Sequence, residues 1–155
     1  MTQRQNKKEL VRDVIGRYRA AASADAALDA RAAERLGISA TDLQCLTIVE
    51  QGGGVTAGRL ATESGLTTGA VTSVVDRLER AGYARRVRDQ TDRRKVNVEV
   101  TPAFYASAEE VWGPIASDWE RQLGARFSAA QLTTIADFLE QARELAARHS
   151  ERIRG

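Results

Sequence analysis

Apolar residues recur at helical spacing over most of this chain, and at alternate positions in only one short run. Leu10, Val14, Tyr18, Ala21, Leu28, Ala32 and Leu36 predict a long, alanine-rich helix over Leu10–Leu36, ended by Gly37 just beyond its last turn. Ser39 is placed to cap a second helix whose stripe is Leu43, Leu46 and Val49, and Gly52-Gly53-Gly54 stops it. Val55-Thr56 opens a short third helix, capped by Thr56 and running to about Glu63. Ser64-Gly65 is a turn, and Thr67 caps a fourth helix that ends at Gly82. Two runs with strand character follow, Tyr83–Arg88 and Lys95–Thr101; in the second, Val96, Val98 and Val100 share one face and Lys95, Asn97 and Glu99 the other. Thr101-Pro102 starts a fifth helix, with Ala108, Val111, Ile115 and Trp119 on one side and a candidate kink at Gly113-Pro114. Ser128 caps a sixth, with the stripe Leu132, Ile135, Leu139, Ala142 and Leu145. The expected order is four helices, two strands and two helices: a mostly α fold with a small β-hairpin.

Residues 57–77 have the spacing of a helix-turn-helix. Leu60 and Ala61 pack the first helix of the pair, and Gly65 supplies the tight turn. On the second helix Val71, Val74, Val75 and Leu78 must face inward, which leaves Thr68, Gly69, Thr72, Ser73, Asp76, Arg77 and Arg80 outward. A helix entering the major groove needs a slim, hydrogen-bonding leading end, with cations where the phosphate walls pass. The outward face has both. The hairpin after it carries Arg88, Arg93, Arg94 and Lys95 around its loop, so the expected architecture is a winged helix-turn-helix whose hairpin reaches the adjacent minor groove. An ordinary amphipathic helix pair followed by a solvated hairpin is the plainer reading of the same residues.

Charge favours the first reading. Residues 76–95 hold eight basic against four acidic side chains, while residues 96–155 hold six basic against nine acidic, so the positive excess is focused in one window. At 43% hydrophobic and 28% charged, the 155 residues can bury a core. The longest uncharged stretch is 12 residues, Ser64 to Val75, too short to span a bilayer. The N-terminal MTQRQNKKEL lacks the apolar core of a signal peptide, so a cytoplasmic protein is expected. One cysteine, Cys45, and one histidine, His149, leave no basis for a disulfide framework, a metal site or a catalytic triad. No paired nucleophile and base or phosphate loop appears, so neither an enzyme nor a cofactor is expected.

The stretch LTTGAVTSVVDRLERAGYARRVRDQTDRRKVNVEVT (66–101) resembles the MarR family of bacterial transcriptional regulators. The likeness lies in Thr72, Val75-Asp76-Arg77-Leu78-Glu79 and Gly82 of the second helix, and in Asp89 and Asp92-Arg93-Arg94 leading to Val100-Thr101. The resemblance implies a homodimer whose N- and C-terminal helices interleave. That makes 1–36 and 102–155 the dimerisation region and 37–101 the winged helix-turn-helix, within one compact domain. It matches Thr68, Gly69, Thr72 and Ser73 to the groove-facing positions, and Arg93 and Arg94 to the wing-tip arginine, with Asp92 orienting it. The candidate DNA contacts are these together with Thr56, Arg77, Arg80 and Arg88. It also implies a ligand-responsive repressor on a palindromic operator in double-stranded DNA, released by a small aromatic or phenolic effector. Tyr18, Leu46 and Trp112 are the candidate effector pocket. Two alternatives stay open: a redox-sensing regulator using Cys45, against which its place beside Leu46 favours an inert packed thiol, and a helical protein-interaction dimer with no nucleic-acid role.

Overall fold

The structure, a computed structural model, describes residues 6–88 and 95–154. Helix α1 (Lys7–Arg35) starts in a capping box between Asn6 and Glu9 and ends at Gly37. Helix α2 (Ala40–Gln51) starts in a second box: the Ser39 hydroxyl accepts from the Asp42 N–H, and the Asp42 carboxylate accepts from the Ser39 N–H. Strand β1 (Val55–Thr56) leads into α3 (Ala57–Ser64), which the Thr56 hydroxyl caps by accepting from the Arg59 N–H. Gly65 then turns the chain at φ 74°, a left-handed conformation that favours glycine. Helix α4 (Thr68–Arg80), capped by Thr67, is followed by β2 (Ala84–Arg88), β3 (Val96–Val100), α5 (Pro102–Arg126) and α6 (Ala129–Arg154).

The strands form one antiparallel sheet in the order β1-β3-β2, with Val55 opposite Val98 and Arg88 opposite Val96. Three strands are present among the described residues where two were expected. Val55-Thr56 is too short for any alternation to show, and only its pairing with β3 makes it a strand. The alternation expected in β3 is only partly used. Val98 is buried, but Val96 is 43% exposed. Gly113-Pro114 does not end α5, which continues across it.

Contacts divide the chain into two compact units, 1–111 and 112–155. In the first unit, Ala32, Ala33, Leu36 and Phe104 are all buried. That unit's core is Leu46, Val49, Val55, Leu60, Val71, Val75, Leu78 and Val98, all almost wholly removed from water. Tyr83 closes it, stacking edge-on against Phe104 and donating its hydroxyl to the Leu36 carbonyl at 3.2 Å. Among the described residues, no helix is long and apolar enough to cross a membrane.

Candidate nucleic-acid interface

Helix α4 turns Val71, Val74, Val75 and Leu78 into the core, as their spacing predicts. Thr68, Gly69, Thr72, Ser73 and Arg80 are thereby exposed together. The Thr72 and Ser73 hydroxyls each donate to the carbonyl four residues back, at 3.0 and 3.2 Å, which leaves their oxygen lone pairs facing outward. Arg80 is exposed at the far end of the helix, with its Nε donating to the Asp76 carbonyl.

Ion pairs hold both flanks of this face. On one side the Arg77 guanidinium makes a two-point contact with Asp42 of α2: Nη2 to Oδ1 at 2.6 Å and Nε to Oδ2 at 3.2 Å. Arg77 therefore lies at the edge of the outward face, tied to α2, and not free on it as its position in the helix predicts. Burial by itself would raise the Asp42 carboxyl, but the hydrogen bonds from Arg77 and Ser39 outweigh it and hold the group below the usual carboxylate range. On the other side Arg86 of β2 bridges two carboxylates of α4. Its Nη2 meets Asp76 at 2.7 Å, its Nη1 meets Glu79, and its backbone N–H donates to Glu79 at 2.9 Å. Arg85 joins Glu99 across the sheet at 3.0 Å. The bridging means that the acids of α4 and the arginines at its sides largely satisfy one another, while Arg80, Arg88 and Lys95 are exposed as well. No ion pair to these three occurs among the described residues.

The remaining expected contacts divide. Thr56 is half-buried, its hydroxyl capping α3 and its backbone in β1. Arg88 ends β2 at the base of the hairpin loop. Asp92, Arg93 and Arg94 lie outside the described residues. Asp42 and Arg86 were not singled out by the sequence. The signals for Asp42 were its place four residues before Leu46, on the apolar stripe of α2, and its capping-box spacing from Ser39.

Of the expected effector pocket, Leu46 is 0% exposed, a central core side chain. Tyr18 is half-buried on α1, and Trp112 is half-buried in the second unit. Cys45 is also 0% exposed. Burial raises its thiol pKa, and the nearby Asp42 charge adds to the effect. His149 is exposed. Among the described residues no group of His, Cys, Asp or Glu could hold a metal ion.

The sequence profile of the MarR family matches residues 38–96, the segment from just before α2 to the first residue of β3. The chain is similar over nearly its full length to the HTH-type transcriptional regulator YcgE of Bacillus subtilis (strain 168), with 31% identity over 154 residues and 99% of each chain covered. Two solved structures share the fold. One is a MarR family protein from Bacillus stearothermophilus, with a TM-score of 0.66 at 23% identity, covering 92% of this chain and 99% of that one. The other is a mutant MarR from E. coli complexed with operator DNA, with a TM-score of 0.56 at 20% identity, covering 89% and 99%. Helix-turn-helix, hairpin and full-length similarity thus agree, and the chain belongs to the MarR family of DNA-binding, winged helix-turn-helix transcriptional regulators.

Proposed function

We propose that this regulator is a ligand-responsive repressor that binds an inverted-repeat operator as a homodimer, α4 entering the major groove and the hairpin reaching the adjacent minor groove. The observation that carries the reading is the outward face of α4, small and hydroxyl-bearing at its leading end and cationic at Arg80, braced on both sides by ion pairs. An α-helix fits the major groove only where no bulky side chain stands between it and the base edges. A MarR from E. coli that shares this fold has been solved with operator DNA, which supports DNA as the partner of this chain.

The homodimer is supported by apolar surface that each unit leaves in water. In the first unit α1 exposes Leu10, Val11, Val14 and Ile15; in the second, Trp119, Ile135, Leu139 and Leu145 are exposed. Such patches on helices mark surfaces that a partner covers. Repression and the aromatic or phenolic effector rest on family resemblance. The redox alternative loses its support with Cys45 wholly buried, and membership of a DNA-binding family removes the purely protein-interacting one.

Selection of bound sequences from a random duplex pool, at fixed moderate salt, tests the reading. An inverted repeat with half-sites about 10 bp apart is the expected product. Enrichment of no motif, with binding that fades as salt rises, would reduce the protein to a non-specific binder. The selected operator then serves to screen aromatic acids for release.

A further inference from the structure

We infer that Asp42 is a positioning residue for DNA binding: its buried carboxylate holds the Arg77 guanidinium at the edge of the α4 face so that the remaining N–H groups meet a phosphate. The inference rests on the DNA-binding reading above and adds to it a residue and a task.

The pair is asymmetric. The Asp42 side chain is 3% exposed and that of Arg77 is 43% exposed, so the carboxylate is inside and the guanidinium lies at the surface. Asp42 is fully engaged, with Oδ1 accepting from Arg77 Nη2 and Oδ2 accepting from Arg77 Nε and, at 3.1 Å, from the Ser39 N–H. These contacts use one edge of the guanidinium. Nη1 has no acceptor among the described residues. A buried carboxylate needs a charged partner, and this one takes a partner that stays partly in water. Here the buried partner fixes an exposed cation whose opposite edge is open. Ser73, Arg77 and Arg80 stand at i, i+4 and i+7 on α4, so Arg77 borders the outward face and is continuous with its cationic end. Its side chain is ordered before DNA arrives, so little rotamer freedom is left to lose on binding. Guanidinium geometry suits two simultaneous contacts, one edge to a carboxylate and the other to a phosphate oxygen. Asp42 itself, sequestered in α2, touches no DNA in this arrangement.

A double-mutant cycle on the full-length protein tests this, using Asp42→Asn, Arg77→Met and the pair. Operator dissociation constants are measured over a salt series, well below each variant's melting temperature. Arg77→Met should weaken binding about tenfold and reduce the magnitude of the log–log salt slope by about 1, the mark of one lost phosphate contact. Asp42→Asn should weaken binding about fivefold with the slope unchanged, because the cation is retained but no longer held. The double variant should bind no worse than Arg77→Met alone. Additive losses, or an unchanged slope in Arg77→Met, would overturn the inference. Arg77→Lys keeps the charge but cannot make the two-point contact, and it decides the matter where Asp42→Asn does not fold. It should keep the slope and lose affinity, and wild-type affinity from it would overturn the inference. A wild-type protein that bound no duplex would instead sink the DNA-binding reading itself.

Discussion

Gly69 occupies the first turn of α4, and a Cβ built there would meet no other atom within 4 Å. Nothing inside the described protein requires glycine at this exposed position, although glycine in a helix costs roughly 0.5–1 kcal/mol relative to alanine. Close approach of a base-pair edge supplies the requirement in the proposed reading. Gly69→Ala is therefore expected to raise the melting temperature by about 2–5 °C while weakening operator binding about tenfold, by calorimetry and by titration. A variant that bound as well as wild type would place DNA away from this face. Asp42 gives a pH dependence of known sign. Its folded pKa is depressed, chiefly by Arg77 and Ser39 acting against burial, so its contribution is fully present above the unfolded value of about 4 and fades as pH falls through the folded one. The stability gap between wild type and Asp42→Asn should be constant above about pH 5 and close below pH ~4 in denaturant titrations. A gap that widened in acid would contradict the assigned ion pair.

At the scale of elements, α4 is fixed by what grips it from either side. The Arg86 bridge ties the wing's β2 to α4 through Asp76 and Glu79, and Arg85–Glu99 ties β2 to β3. Each partly exposed pair is worth only about 0.2–1 kcal/mol, so the bridge contributes modestly to stability. Its larger effect is geometric, since it ties the hairpin strand to α4 and, in the proposed complex, masks two carboxylates beside the phosphates. Arg86→Gln should lower stability by no more than about 1 kcal/mol yet weaken operator binding about tenfold, most clearly at low salt, where the unmasked carboxylates repel hardest. Equal losses in stability and affinity at every salt would reduce Arg86 to a fold contact. The helices themselves were legible because their signals are local: Ser39, Thr56 and Thr67 cap where expected, and Gly65 turns where expected. The bridges were not, because Arg77 and Asp42 are 35 residues apart in sequence and nothing local marks them as partners.

Across the whole molecule, the terminal helices leave apolar side chains in water. In α1 only Ala32 and Ala33 are buried, and α6 has no buried residue among those described, though both helices carry regular apolar stripes. Helices of this kind gain most of their stability from tertiary or quaternary packing. In the homodimer we propose, Leu139→Glu would put a charge into that packing; Leu139 is 51% exposed in the single chain, so the substitution costs the protomer little. The expected result is a shift toward monomer in sedimentation, with loss of tight operator binding. A variant that stayed dimeric would move the interface away from this face of α6. For a dimer that neutralises about 6–10 phosphates, operator affinity should fall with salt at a log–log slope of about −5 to −9.

By itself the sequence determined the helices, their caps, the helix-turn-helix spacing, the paired strands β2 and β3 and the outward face of α4. All of these follow from periodicities and capping chemistry that act within a few residues. The tertiary structure decided what depends on distant partners. It made Val55-Thr56 a strand by pairing it with β3, drew Leu46 wholly into the core and left Val96 exposed. It also turned Arg77 and Arg86 from loose surface cations into braces for α4. An arginine's spacing says which face it leaves from, but the carboxylate within its reach is set only when helices and sheet have packed.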